Sequence, residues 1–320
     1  MSRIRDALDE KNVKPTTIGG QAVMEGVMMR GKRMYAMAVR KPDQTIELIT
    51  KPLTPASDKH PIFKLPIIRG VVAFVDSLVI GMRIMTKSAE IAGLDDIEEE
   101  DLSPFEKKLQ KIFGDKLTDV VMYIAVVIAL IVGIGLFFLL PVWLGGFFAP
   151  LLGGRTWALG IVEGLLRIII FLAYVYLISY MKDIQRVFQY HGAEHKTISC
   201  YEHQEELTVE NVRKYPRLHK RCGTSFLLIV MVVAMLVFMF VRTDVLWLRF
   251  ASRIVLIPLI AGVSYEIIKW AGRNDNWFVN AISYPGLCLQ KVTTREPEDA
   301  MIEVAITSMN AVLENEPQTC

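Results

Sequence analysis

Four apolar runs set the plan of the chain. Residues 120–141, 157–180, 226–241 and 251–270 each approach the roughly 20 residues a helix needs to cross a bilayer, the third with a short apolar core. They group as 118–180, holding spans one and two, and 225–270, holding spans three and four. Ahead of them, residues 18–60 read as a small β-rich element. Gly19, Gly20, Gly26 and Gly31 punctuate short apolar pieces, and 34–40 with 45–51 form a hairpin across Lys41-Pro42-Asp43-Gln44. Residues 61–93 hold an apolar core in which Arg69, Asp76 and Arg83 recur at heptad spacing, on one helical stripe. That pattern predicts an interfacial or re-entrant amphipathic helix, with a core helix of the soluble domain as the alternative.

The remaining segments are polar. Residues 1–17 are charged and expected to be mobile. Residues 94–117 combine an acidic linker (94–104) with a short amphipathic helix (105–116). The tail, 271–320, starts loop-like around Pro285-Gly286. A helix over 297–314 follows, with Thr294 as its N-cap, Pro297 near its first turn, and Met301, Val304, Ala305, Met309 and Val312 on one stripe. Packing that stripe on the 18–60 element predicts one cytosolic α+β domain built from both chain ends. The fold class is thus a mainly α polytopic membrane protein with about four transmembrane helices, that domain, and one interfacial helix.

Charge orients the plan. The 181–224 segment carries Lys182, Arg186, Lys196, Arg213, Lys214, Arg217, Lys220 and Arg221, whereas the 142–156 connector carries only Arg155. The short 242–250 connector dissents mildly, with Arg242 and Arg249 against Asp244. Positive loops stay on the cytosolic side, so both termini and 181–224 are expected in the cytosol of a cytoplasmic-membrane protein. The first sixty residues lack an apolar core, so no cleavable signal is expected and the first span acts as the insertion signal. With 320 residues, length alone allows two domains, but 52% apolar content selects the membrane class, and a net charge of +2 gives no case for DNA binding. Four cysteines without tight pairing suit a reducing compartment rather than a disulfide framework. No internal repeat is visible, and no oligomeric state is indicated.

Candidate chemistry concentrates in 181–224, which holds four of the five histidines. His191-Gly192-Ala193-Glu194-His195 is an H-x-x-E-H sequence. On a helix it places both imidazoles on one face beside Glu194, the inverted form of the zinc-protease motif. A third ligand is required, and His219 and Cys222 offer it at H-x-x-C spacing, with Glu202, His203 and Glu266 as further candidates. Imidazole with thiolate suits zinc. Cys222 also reads as a nucleophile, beside Arg221 and near His219. Gly192 inside a helix costs about 1 kcal/mol against alanine and suggests close approach by another segment. Glu163 and Arg167, four apart in the second run, pair on one helix face, as a register-setting ion pair or as the lining of a polar path. Glu25, flanked by apolar residues, is expected to pair with an arginine.

Four stretches, GGQAVMEGVMMRG, YHGAEHKTISCYE, HKRCGTSF and PGLCLQKVTTREPEDAMIEVAI, together resemble the YqhQ family of bacterial membrane proteins, over about residues 18–313. The resemblance implies a cytoplasmic-membrane location and the label of a metal-dependent enzyme, with no established reaction. The leading expectation is a hydrolase-like membrane enzyme in which His191, His195 and Cys222 or His219 hold a divalent metal, most simply zinc, and Glu194 activates water on a membrane-protein, peptide or lipid substrate. A rival expectation is a biogenesis factor partnering the insertion machinery, with the basic stretch 211–221 touching RNA or anionic lipid. A third is a small transporter built on Glu163 and Arg167.

Overall fold

The structure is a computed structural model that describes residues 13–315 except 55, 57–59, 95–116, 154, 242–244, 272–273 and 275. Residues 1–12 of the charged start, the acidic linker beyond Leu94, the 105–116 helix, and Arg242 and Asp244 of the dissenting connector lie outside the described residues; within 13–17, expected to be mobile, the Thr16 N–H is held by Glu202 at 2.8 Å.

Four strands form an antiparallel meander: β1 (Gly19–Val23), β2 (Gly26–Arg30), β3 (Met34–Arg40) and β4 (Ile46–Pro52), in the order β1-β2-β3-β4. Both expected strand regions are therefore present, the glycine-punctuated one as a hairpin of its own. Its two-residue turn, Met24-Glu25, puts Glu25 at φ +49, the left-handed geometry that short hairpins demand. The Glu25 carboxylate is gripped by Arg186 through two hydrogen bonds of 2.5 Å, which bears out the expected arginine partner. β3 is buried from Met34 to Val39 because helices cover both faces of the sheet. Ala36 and Ala38 face one layer, and Tyr35, Met37 and Val39 the other.

The helices follow in order: α1 (Ile68–Ile91), α2 (Leu117–Ile134), α3 (Leu140–Phe148), α4 (Thr156–Ile178), α5 (Lys182–Glu202), α6 (Val209–Lys214), α7 (Gly223–Met239), α8 (Leu246–Val255), α9 (Ile257–Ala271), α10 (Trp277–Thr293) and α11 (Asp299–Asn315). α5 and α11 pack on one face of the sheet, and the C-terminal part of α1 on the other. Both chain ends thus build one α+β unit around Met29, Met301 and Met309, each fully buried and each worth about 2–3 kcal/mol of transfer free energy. At its other end α1 crosses α9 where a Cβ on Gly70 would lie 3.0 Å from Gly262 Cα, a small-residue crossing. Val75, Leu78, Val79 and Met82 remain an exposed apolar stripe on α1.

Among the described residues, two helical stretches are long and apolar enough to cross a membrane, Ile124–Phe148 and Trp157–Ile178. The first runs from α2 to α3 through a π-turn at Gly135–Leu139. The third apolar run gives a shorter helix, Phe226–Met239, and the fourth is broken at Leu256 into α8 and α9. The stretch around Pro285 corrects the loop expectation: it is the helix α10, which packs on α7 with Ser283, Gly286, Leu287 and Gln290 buried. Packing outweighs the one hydrogen bond that the proline removes. Thr294 accordingly ends α10, its hydroxyl donating to the Gln290 carbonyl at 2.7 Å, rather than starting the last helix.

Candidate metal centre

α5 carries the H-x-x-E-H residues on its buried stretch, which runs from Tyr190 to Cys200 save for a half-buried His191. The Cβ of any side chain at position 192 would lie 2.1 Å from the Arg295 carbonyl oxygen, so Gly192 is the price of letting the 293–297 segment cross the helix. That crossing delivers the Thr293 carbonyl to His191 Nδ1 at 2.8 Å. On the next turn the Arg217 carbonyl meets His195 Nδ1 at 2.7 Å. Carbonyl oxygens only accept, so both rings carry their proton on Nδ1 and turn the Nε2 lone pair inward.

The third donor comes from the start of α7. Cys222 is the N-cap of that helix, its sulfur accepting the Thr224 N–H at 3.4 Å. His191 Nε2 lies 3.2 Å from this sulfur, and the donor atoms of His191, His195 and Cys222 all fall within 4.8 Å of one another. His195 Nε2 is buried and has no hydrogen-bond partner among the described residues. Leaving such an atom unpaired costs about 1–3 kcal/mol, which a metal in the same place would recover. Two imidazoles and a thiolate with an open fourth position are also a donor set that zinc accepts. The second turn of support, a backbone carbonyl on each Nδ1, is how ligating histidines are oriented.

Burial raises a thiol's pKa, but at Cys222 the nearby charges of His195 and His191, with the His191 hydrogen bond, outweigh it and hold the thiol well below its usual range. Burial likewise disfavours a charged His191, yet Cys222, Glu194 and the Thr293 carbonyl raise it to about 9. Glu194 is buried, which pushes its carboxyl up against the opposing pull of His191 and His195 and the Gly20 N–H. Gly20 belongs to β1, and a Cβ there would lie 2.6 Å from Glu194. Together these groups border a cavity of about 550 Å³ between β1, α5 and the start of α7.

The other candidates are placed elsewhere. His219 turns its Nε2 to Glu202 Oε2 at 3.1 Å, and its backbone is clasped by the Gln290 amide at 2.8 and 2.9 Å. Glu202 also takes Arg221 at 2.5 Å and the Thr16 N–H at 2.8 Å, so it closes a network beside the donors rather than joining them. His203 ends α5, with Nδ1 on the Ser199 carbonyl at 2.7 Å and its ring against Tyr215. Glu266 is no ligand: it pairs with Arg69 of α1 at 2.6 Å, far along the α9 crossing. The groups expected to lower the Cys222 pKa, Arg221 and His219, are drawn to Glu202, and His195 and His191 act on the thiol in their place. Glu163 hydrogen-bonds Arg253 of α8 at 2.5 Å instead of Arg167. Arg167 sends its Nε–H to the Phe137 carbonyl in the π-turn at 2.8 Å, and its two Nη atoms are buried without hydrogen-bond partners. Sequence reading missed the two carbonyls that set the rings, the Gly20 contact and Arg253; the glycine inside H-x-x-E-H was the one signal of the 293–297 crossing.

Comparison with known proteins gives a family and a relative. Residues 65–315 match the family model described as "Protein of unknown function (DUF1385)". The chain is 39% identical over 308 residues to the "Uncharacterized protein YqhQ" of Bacillus subtilis (strain 168), covering 95% of this chain and 94% of that protein. No solved structure matches.

Proposed function

The chain belongs to the DUF1385 family, and from its buried donor cluster we propose that it is a metal-dependent, hydrolase-like enzyme working at the cytosolic face of a membrane. The observation that carries this is the convergence of two Nδ1-pinned histidines and Cys222 around the partnerless Nε2 of His195, with a buried carboxyl alongside. Zinc held by His191 Nε2, His195 Nε2 and Cys222 Sγ would supply Lewis-acid polarisation of a carbonyl and an acidified water. Glu194, with its carboxyl raised by burial, takes the proton from the attacking water and returns it to the leaving group. The Gly20 N–H holds one carboxylate oxygen in place while it does so. The Glu202–His219–Arg221 network fixes the segment that carries Cys222.

The membrane placement extends the two spanning helices to four spans, with Phe226–Met239 and the α8–α9 pair completing the bundle. The exposed stripe of α1 then lies in the interface. Of the rival readings, an RNA- or lipid-binding role for 211–221 fares poorly, because Arg213 is spent on Asp299, Arg217 on the Thr294 carbonyl and Arg221 on Glu202.

Elemental mass spectrometry of the full chain, purified in detergent without chelator, tests the reading. About one zinc per chain is expected in the wild type and in Glu194→Gln, falling to background in His191→Ala/His195→Ala. A wild-type chain that takes up no zinc even when it is added, or a double variant that keeps it, ends the proposal.

A further inference from the structure

One wall of the cavity before the donor cluster is formed by the chain leading into β1 and by β1 itself. It runs through residues 16–22 and faces the Cys222–Thr224 turn across α5. Most of it is β1, the edge of the sheet, with β2 on its inner side and no strand on its outer side among the described residues. Its side chains are small here: Gly19, Gly20 and Ala22, with nothing within 4 Å of a Cβ built on Gly19.

The alternation of an antiparallel ladder tells which groups of β1 face outward. Gly20 stands opposite Met29. The Met29 N–H turns toward β3, donating at 3.0 Å to Ser308 Oγ, which in turn donates to the Ala36 carbonyl at 2.8 Å. Counted from the two-residue turn that Val23 and Gly26 close, the alternation agrees, with Ala22–Val27 and Gly20–Met29 as the wide pairs. The Gly20–Met29 pair is therefore not hydrogen-bonded, and Gly20 and Ala22 both direct their main-chain groups away from β2. The outward set is the Gly20 carbonyl with the N–H and carbonyl of Ala22, beside the carboxyl of Glu194.

We infer that the ligand of this site is an extended polypeptide segment, which adds to the sheet as a further strand along β1 and presents one of its carbonyls to the donor cluster. The inference rests on the metal-dependent reading above and names its substrate class. Main-chain hydrogen bonds give such a ligand its affinity, and Val187 and Ile198 on the cavity floor meet its alternate side chains. A phosphate headgroup is less well served: Arg221, the cation on the wall among the described residues, already bonds Glu202.

Cobalt(II)-loaded full chain in detergent, titrated while its visible spectrum is recorded, separates the outcomes. Acetohydroxamate probes the metal alone; a Leu-Val-Leu peptide hydroxamate adds a strand; its backbone-N-methylated counterpart keeps the side chains but loses the donors. The peptide hydroxamate is expected to bind about tenfold or more tighter than acetohydroxamate, from its added main-chain hydrogen bonds, and N-methylation to erase the gain. Ala22→Pro, which edge strands tolerate, is expected to erase it too while leaving acetohydroxamate affinity unchanged. Should that variant not fold, the N-methylated pair decides alone. Equal affinity for acetohydroxamate and both peptides overturns the strand and leaves the metal site standing. Displacement of acetohydroxamate by glycerol phosphate, with no gain from the peptide, assigns the cavity to a headgroup and also overturns it. A chain that takes no cobalt overturns both readings.

Discussion

At the scale of single residues, Glu202 and Gly192 show how the site is held. Burial alone would raise the Glu202 carboxyl, but the His219 hydrogen bond and charge, with Arg221 and the Thr16 N–H, depress it below the usual carboxylate range. A carboxyl depressed on folding stabilises the fold above its unfolded pKa, and the contribution is lost as pH falls through the folded value. Glu202→Gln is therefore expected to cost about 2 kcal/mol near neutral pH, with the gap to wild type closing in acid. Thermal unfolding of both proteins across a pH series checks this; a gap that persists in acid rules it out. Gly192→Ala drives a methyl into the Arg295 carbonyl, and backbone cannot step aside cheaply. Its cost is expected at or above about 3 kcal/mol, read as a lowered melting temperature with loss of the metal. Much at this scale was legible in sequence: helical spacing alone put His191, Glu194 and His195 together, and Gly192 announced a crossing. The orienting carbonyls of Thr293 and Arg217 were not legible, because every residue has a carbonyl and only tertiary contact selects one.

Among elements, α11 is tied to the sheet by Arg40, which bonds the Ala300 carbonyl and Glu303, and, at the centre of the face, by the Ser308 hydroxyl. Ser308 bridges the Met29 N–H and the Ala36 carbonyl, standing in for a ladder hydrogen bond between β2 and β3. Ser308→Ala leaves both groups buried and unpaired at this point and is expected to destabilise by about 2 kcal/mol; Ser308→Thr, keeping the hydroxyl, separates that loss from packing. Denaturant midpoints of the two variants check it. Periodicity found α11 because it buries one apolar stripe against the sheet. It failed at α10, where Pro285-Gly286 signals a turn locally but packing on α7 decides. It also paired Glu163 with Arg167 from spacing, whereas side-chain direction sends Glu163 to α8.

For the whole molecule, hydropathy located the apolar runs but could not tell a span from a shorter or broken helix, since the same residues fill both. The proposed orientation makes its own prediction. A cysteine placed at Gly153, between the two long apolar helices, should react with a membrane-impermeant maleimide in intact cells. One placed at Glu205, just past the donor helix, should react only after permeabilisation, both judged against the unsubstituted chain. Labelling of both from outside, or of neither, would refute the four-span orientation.

The Thr293 carbonyl that aims His191 lies 102 residues further along the chain. A ribosome making this protein must therefore finish α10 before His191 can be locked, long after His191 itself has emerged. Nascent chains, and fragments that stop short of that helix, carry every donor residue and still lack the arrangement. Synthesis thus carries its own safety catch: whatever reactivity the donor cluster has stays off until the polypeptide is nearly complete and its last bundle helix is seated.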